Sequence, residues 1–285
     1  MKVTIAIPNF NGSNLLKRNI HNVLKSGSDE VIIIDDGSSD GSVNLIKSEF
    51  PGVNLLINNK NLGFIPSVNK LVNEASGDVV ILLNNDVYVE PDFLEPLGDH
   101  FKNPKVFAVN LHEEGEGPSI VFWKDGFYEF KRGEEKMEVQ KSAWASGGSA
   151  AFRKSIWQEL GGFDDLFAPF YWEDTDISYR ALRRGYEILW EPDSRVKHEH
   201  ETTIKRFNRR YVRWVQQRNQ LLFIWKNISE QKLLEDHKKF LSKRLISTGL
   251  GYWLPYLWAK LKSSQIKKDT SKFIRSDREV INYAG

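Results

Sequence analysis

With 285 residues, 40% hydrophobic and 27% charged, the chain has the make-up of an ordinary globular protein, enough for one large domain or two small ones. It has no cysteine, which excludes disulfides and thiolate metal sites. No run of about 18 apolar residues occurs, so no membrane-spanning helix is expected, and MKVTIAIPNFNG reads as a first strand rather than a signal peptide. The net charge of +2 conceals a split: residues 1–204 carry −11 and residues 205–285 carry +13. Such a split marks a change of role along the chain.

Val3–Ile7 is a β-rich run closed by Pro8 and Asn9. Asn14–Ser26 has helical spacing, with Leu15, Leu16, Ile20, Val23 and Leu24 on one face. Val31–Ile34 is an apolar strand that stops at Asp35-Asp36-Gly37-Ser38. A helix over Ser39–Phe50, a strand over Val53–Ile57, a helix over Ile65–Ala75 and a strand over Val79–Leu83 follow. This alternation predicts right-handed βαβ units, a parallel sheet and an α/β fold. Ligands of such sheets sit beyond the carboxyl ends of the strands. Here those ends are Pro8-Asn9, Asp35-Asp36 and Asn84-Asn85-Asp86, all polar.

Further on, Ile120–Phe130 alternates as strands do, and Lys131–Lys141 reads as a charged, mobile loop. Ala143–Phe152 is small and apolar around Gly147-Gly148. Helices are predicted over Arg153–Leu160 and Thr175–Arg184, and strands over Glu187–Trp190 and Ser194–Lys197. From Lys205 the pattern is helical, basic and aromatic.

Read singly, the polar strand ends are turns with helix caps. A carboxylate such as Asp86 at a strand end also suits Mg²⁺ or Mn²⁺, which prefer hard oxygen ligands. An acid such as Asp36 can accept from a base or a ribose hydroxyl. Glu173, Asp174 and Asp176 crowd the start of a helix, where the dipole partly explains acids. Beside Tyr171 and Trp172 they would repel one another unless a cation or substrate intervenes, and crowding raises carboxyl pKa values, which suits a general base. His198 and His200 follow a strand about two dozen residues on.

Together, TIAIPNFNG, VIIIDDGSSDGS, NKNLGFIPSVNKLVNEASGDVVILLNNDVYVEPDFLEPL, ASGGSAAFRKSIWQELGGFDDLF and YWEDTDISYRALRRGYEILWEPDSRVKHEHETT resemble the successive blocks of family 2 glycosyltransferases with the GT-A fold. The resemblance covers roughly residues 1–204 and leans toward bacterial rhamnosyltransferases. It implies a nucleotide-sugar-binding part over 1–110, a catalytic and acceptor part over 111–204, and a separate helical region over 205–285. It implies a UDP- or dTDP-sugar donor, a glycan or lipid-linked acceptor, inversion at the transferred sugar, and Mg²⁺ or Mn²⁺.

By the same resemblance, Asn84-Asn85-Asp86 stands at the family's Asp-X-Asp motif, with Asp86 the metal-binding acid and Asn84 a departure from the pattern. Asp36, with Asp35, matches the acid that recognises base and ribose, and Pro8, Asn9 and Asn11 line the nucleoside. Asn61, Asn69 and Asn85 belong to the nucleotide side. Asp174 matches the catalytic base, with Glu173 as its substitute. His198 falls where members place a metal ligand, with His200 the alternative. Gly147, Gly148, Trp172 and Asp176 are assigned to the sugars, with Trp123 and Trp144 as further stacking candidates. A binding scaffold that kept the fold and lost turnover is the alternative of a different class.

In the tail, residues 211–227 have apolar residues at helical spacing and are expected to pack on the catalytic part. Residues 249–264 set Trp253, Tyr256, Leu257 and Trp258 beside lysines. Peripheral contact with the inner face of the cell membrane from the cytoplasm, and packing against a second subunit, are both open for them. Nucleic acid is not an expected partner, because no groove-reading motif accompanies the charge.

Overall fold

The computed structural model describes residues 1–199, 207–248, 250–269 and 271–285. His200 lies outside the described residues. The four apolar runs form parallel strands β1 (Val3–Asn9), β2 (Glu30–Asp35), β3 (Asn54–Ile57) and β4 (Val79–Leu83), in spatial order β3-β2-β1-β4. Their residues alternate between two cores: Ile5, Ile7, Ile33 and Ile81 face one side, and Ala6, Ile32, Ile34 and Leu82 the other. Because both faces are covered, the strands are apolar throughout rather than alternating. Helices α1 (Ser13–Leu24) and α2 (Ser42–Glu49) cover the first side and α3 (Phe64–Glu74) the second. Helix α2 begins three residues later than its pattern suggests. Gly41 sits at φ 87°, and the Asp40 carboxylate takes the Ser42 backbone N–H.

The sheet is mixed rather than purely parallel. The chain continues through β5 (Val87–Val89), β6 (Val106–Glu113), a hairpin of β7 (Ser119–Lys124) and β8 (Phe127–Arg132), the two-residue β9 (Gln140–Lys141), β10 (Ser149–Arg153) and β11 (Glu187–His198). Strand β10 runs antiparallel between β4 and β6, and β11 lies parallel to β6. So β4, β6 and β11 point the same way as β1 and β2. Their carboxyl ends share one rim, which carries Asn9, Asp35, the 84–86 segment, Glu113 and His198. The two strands expected over 187–197 are one, with a register shift between Trp190 and Arg195 that absorbs Pro192.

Helices α4 (Leu97–His100), α5 (Lys154–Leu160) and α6 (Glu173–Arg183) complete the body. The tail supplies α7 (Arg209–Asn227), α8 (Gln231–Thr248), α9 (Leu250–Lys262) and α10 (Asp277–Ile281). Leu221, Leu222, Phe223 and Ile224 of α7, with Tyr252, Val280 and Ile281, belong to the same apolar core as Phe152 and Trp157. The tail therefore completes that core rather than resting on its surface.

Candidate active site

The strand ends are tied together by side-chain amides. Asn9 donates to the Asp35 carboxylate (3.0 Å) and accepts from Asn85 Nδ2 (2.8 Å). Asn11, at φ 50°, accepts from the Ser39 backbone N–H, while its own N–H goes to Ser38. Asp36 is buried and accepts from Asn58 Nδ2 and the backbone N–H groups of Leu62 and Gly63, each at 2.9 Å. It shapes the 58–63 loop, whose Asn61 backbone lies directly over Gly37. A Cβ on Gly37 would stand 2.8 Å from the Asn61 nitrogen. Asn69 is placed away from this cluster: its amide pairs in both directions with the Phe163 backbone (2.8 and 2.9 Å). Pro8 is half-buried beside Ile34 of β2.

Asp86 is buried, and its Oδ1 lies 2.9 Å from His198 Nε2. Behind the ring, His198 Nδ1 is 3.3 Å from both carboxylate oxygens of Glu113, and Ser149 donates to Glu113 at 2.5 Å. Burial disfavours a charge on His198, but the bonds to Asp86 and Glu113 outweigh it and push the imidazole up to about 9. A proton here sits between two carboxylates, the same negative setting that attracts a divalent cation. The donor set, a carboxylate and an imidazole backed by an acid, fits Mg²⁺ or Mn²⁺. Among the described residues, no group of three or more His, Asp or Glu is placed to hold a metal ion by itself. Phosphate oxygens and water therefore have to complete such a site, as is usual for Mg²⁺.

The three acids of α6 part company. At about 100° per residue, successive side chains leave a helix in different directions. Asp174 is half-buried, accepts from the Thr175 backbone N–H (2.7 Å) and lies 3.4 Å from the Gly147 N–H. Burial raises its pKa above the usual carboxylate range, against those hydrogen bonds. Glu173 is buried with no partner on Oε2, and burial together with the Asp174 charge pushes it up to about 8. Asp176 corrects the sequence expectation. It is 0% exposed and bound by Arg180, Lys226 and Asn227, so it touches no sugar. Its carboxyl is lowered because Arg180 and Lys226 outweigh the effect of burial.

Gly147-Gly148 bridges the halves of the site. The Gly148 carbonyl accepts from the Asn84 backbone N–H at 2.9 Å, and a Cβ on Gly148 would collide with the Asn84 amide. Trp172 is buried among Tyr128, Phe130 and Phe223, so most of its surface is core rather than sugar platform. Trp144 is buried under Phe130 as well, with the Arg132 guanidinium over its ring. Trp123 is half-buried, with its indole N–H enclosed.

Tyr171 and Trp172 both have positive φ, 69° and 80°, immediately before the acids. Non-glycine residues in that region cost about 1–3 kcal/mol each and persist only where their surroundings impose them. The imposing residue is Asn219 of α7. Fully buried, it donates to the carbonyls of Phe167 (2.7 Å), Phe170 (3.0 Å) and Tyr171 (2.8 Å). Neither Glu113 nor Asn219 was singled out from the sequence. An acid after an apolar run and a lone Asn inside an apolar helix stretch are the signals that could have found them.

Comparison with known proteins identifies the family and the fold. Residues 4–161 match glycosyl transferase family 2. The chain is 27% identical over 225 residues to the O-antigen chain rhamnosyltransferase RfbN of Salmonella typhimurium, covering 74% of this chain and 70% of that one. It is 27% identical to the N-acetylglucosaminyl-diphospho-decaprenol L-rhamnosyltransferase of Mycobacterium tuberculosis, over 59% of this chain and 66% of that one. It is 28% identical to the poly-beta-1,6-N-acetyl-D-glucosamine synthase of Staphylococcus aureus, of whose length it spans 55%. Among solved structures, GalNAc-T7 with UDP, GalNAc and Mn²⁺ superposes with a TM-score of 0.71 at 20% identity, over 99% of this chain and 56% of that one. The S. aureus TarS 1–349 complex with UDP-GlcNAc superposes with a TM-score of 0.59 at 14% identity, over 91% of this chain and 79% of that one. The fold is GT-A. The family match takes in more than half of the sequence, from the first strand through α5, and the chain belongs to glycosyl transferase family 2.

Proposed function

We propose that the chain is a metal-dependent, inverting glycosyltransferase. It moves a sugar from a nucleoside-diphosphate sugar, UDP- or dTDP-linked, to a hydroxyl of a glycan or lipid-linked acceptor in cell-surface polysaccharide synthesis. The observation that carries this reading is the continuous path from Asp174 through Gly147-Gly148 to Asn84 and Asp86. It puts a carboxylate with a raised pKa and a candidate phosphate-end site at the two ends of a two-glycine stretch. Asp174 takes the acceptor hydroxyl proton, the oxygen attacks the anomeric carbon from that side, and the bond to the diphosphate breaks on the other. Asp86 and His198 would hold a divalent cation, which when bound offsets the charge gathering on the departing diphosphate. Asn9, Asn11, Asp35 and Asp36 shape the nucleoside end.

The test is hydrolysis and transfer with UDP-, dTDP- and GDP-sugars in Mn²⁺ or Mg²⁺. Turnover of one donor is the expected result; donor binding without turnover, even with plausible acceptors, would identify a scaffold. In the same assay Asp86→Ala is expected to weaken metal-dependent nucleotide binding. Glu113→Gln, which loosens His198, is expected to lower Mn²⁺ affinity in the nucleotide complex about 10–100-fold, read by electron paramagnetic resonance.

We further propose peripheral binding to the cytoplasmic face of an anionic membrane through α9. Among the described residues no helix is long and apolar enough to cross one. Trp253, Leu254, Leu257 and Leu261 are exposed along one side of α9, with Lys260 among them, and Ile246 of α8 is 85% exposed. Trp258, by contrast, turns inward onto the Arg218 guanidinium, 4.1 Å from its ring. Each basic residue near an anionic surface adds about 1 kcal/mol at most, screened by salt. Sedimentation with anionic vesicles should therefore fall with salt and with Trp253→Ala/Leu257→Ala. A dimer that Trp253→Ala/Leu257→Ala makes monomeric, with no vesicle binding at low salt, would make the tail an assembly element.

A further inference from the structure

On the far side of α6 from Asp174, a cleft of about 620 Å³ opens between the catalytic body and the tail. Two residues along a helix turn a side chain by about 200° and six by about 240°, so Asp176 and Arg180 face away from Asp174. Residues 160–166 form one wall. Arg180 of α6, Arg184 just beyond its end, Lys226 of α7, Lys262 at the end of α9, and Lys267 and Lys268 supply six cations against three acids, Asp164, Asp165 and Asp269.

The cations fall into two groups. Arg180, Arg184 and Lys226 are answered by Asp176, Asp269, Glu159 and Asp164. Lys262, Lys267 and Lys268 have no ion pair among the described residues. Lys262 is half-buried, and its hydrogen bond is a long one, 3.4 Å, to the Asp165 carbonyl. Burial first, and the nearby Arg218 guanidinium second, push its ammonium down to about 8. The carboxylates of Asp164 and Asp165 offset that only in part, and an ammonium held out of water with so little compensation is a cost that a bound anion removes.

We propose that this cleft binds a phosphate-bearing anion, held by Lys262, Lys267 and Lys268. Three ammonium groups from two chain segments suit an anion with oxygens on several sides, and lysine meets phosphate as a point charge. A carboxylate presents two coplanar oxygens and answers them less completely. Lys262 ends α9, so the phosphate can belong to a lipid headgroup or to a soluble phosphate or diphosphate. The proposal is independent of the donor chemistry, because neither Asp86 nor Asp174 lines the cleft.

The test is lysine-by-lysine labelling of the full chain with an amine-reactive ester near pH 7.5, read by mass spectrometry. The probes are inorganic pyrophosphate, phosphatidylglycerol vesicles and phosphatidylcholine vesicles. At ten times the Kd, pyrophosphate is expected to slow labelling of Lys262, Lys267 and Lys268 about tenfold. Lys17 and Lys102, exposed elsewhere, should not change. Protection by pyrophosphate identifies a soluble anion. Protection by phosphatidylglycerol vesicles without protection by pyrophosphate or phosphatidylcholine identifies a headgroup. In either case Lys262→Gln should abolish protection of Lys267 and Lys268. Labelling unchanged by all three probes, protection spread equally to Lys17 and Lys102, or protection that survives Lys262→Gln would overturn the site.

Discussion

Asp174→Asn is expected to lower sugar transfer, or donor hydrolysis where no acceptor is known, by about 10²–10⁴-fold, the usual contribution of a positioned base. Nucleotide binding, measured calorimetrically, should stay nearly unchanged, because Asp174 reaches the rest of the site through the Gly147 N–H rather than through Asp86. The pH dependence has a defined sign. A base works in its ionised form, and burial raises the Asp174 pKa above the ordinary value. The rate should therefore fall as pH drops, starting above the range where an exposed Asp would lose its charge. Glu173 beside it is also raised, to about 8, by burial and by the Asp174 charge, so the two carboxyls share protons and the profile belongs to the pair. If Asp174→Asn retained most of the rate, the base would move to Glu173. Asp176 is no longer a candidate, since it has no exposed surface.

The fold was legible where local pattern and burial agree. Strands β1, β2 and β4 are covered on both faces, so their apolar runs ended where the sheet ends, and the polar residues after them marked the rim. Strand β6 carries an equally apolar run, Val106–Leu111, but no local feature says that it inserts between β10 and β11. That placement is what brings Glu113 to His198, 85 residues away. Asn219 was illegible for the same reason. Its meaning lies in three carbonyls about 50 residues earlier, whose strained turn shows no sequence sign beyond Tyr171-Trp172. The acids of α6 show the reverse failure. Their closeness in sequence suggested a shared role, and helical geometry separates them.

Asp176→Ala is expected to destabilise the protein by about 3–5 kcal/mol, the range for removing one partner of a buried ion pair. Its carboxylate receives Arg180 at 2.8 Å, Lys226 at 2.9 Å and Asn227 at 2.8 Å, and is 0% exposed. Without it, two cations remain inside: Arg180 keeps the carbonyls of Leu160 and Gly162, and Lys226 keeps Asp164. Carbonyls do not neutralise a guanidinium, so the penalty should be near the full range. For a protein of this size that is a drop in Tm of roughly 10 °C. The folded carboxyl is held below its ordinary value, so its contribution is complete above about pH 4 and is lost as pH falls through the folded pKa. Denaturant unfolding at pH 7 should thus show the whole difference, and the gap should close in acid. Asp164→Ala is the internal control: Asp164 is 32% exposed, and its bridge to Lys226 should contribute no more than about 1 kcal/mol. A variant at Asp176 with parental stability but a raised acceptor KM would return Asp176 to the sugar site and undo its assignment as the centre of a structural ion cluster.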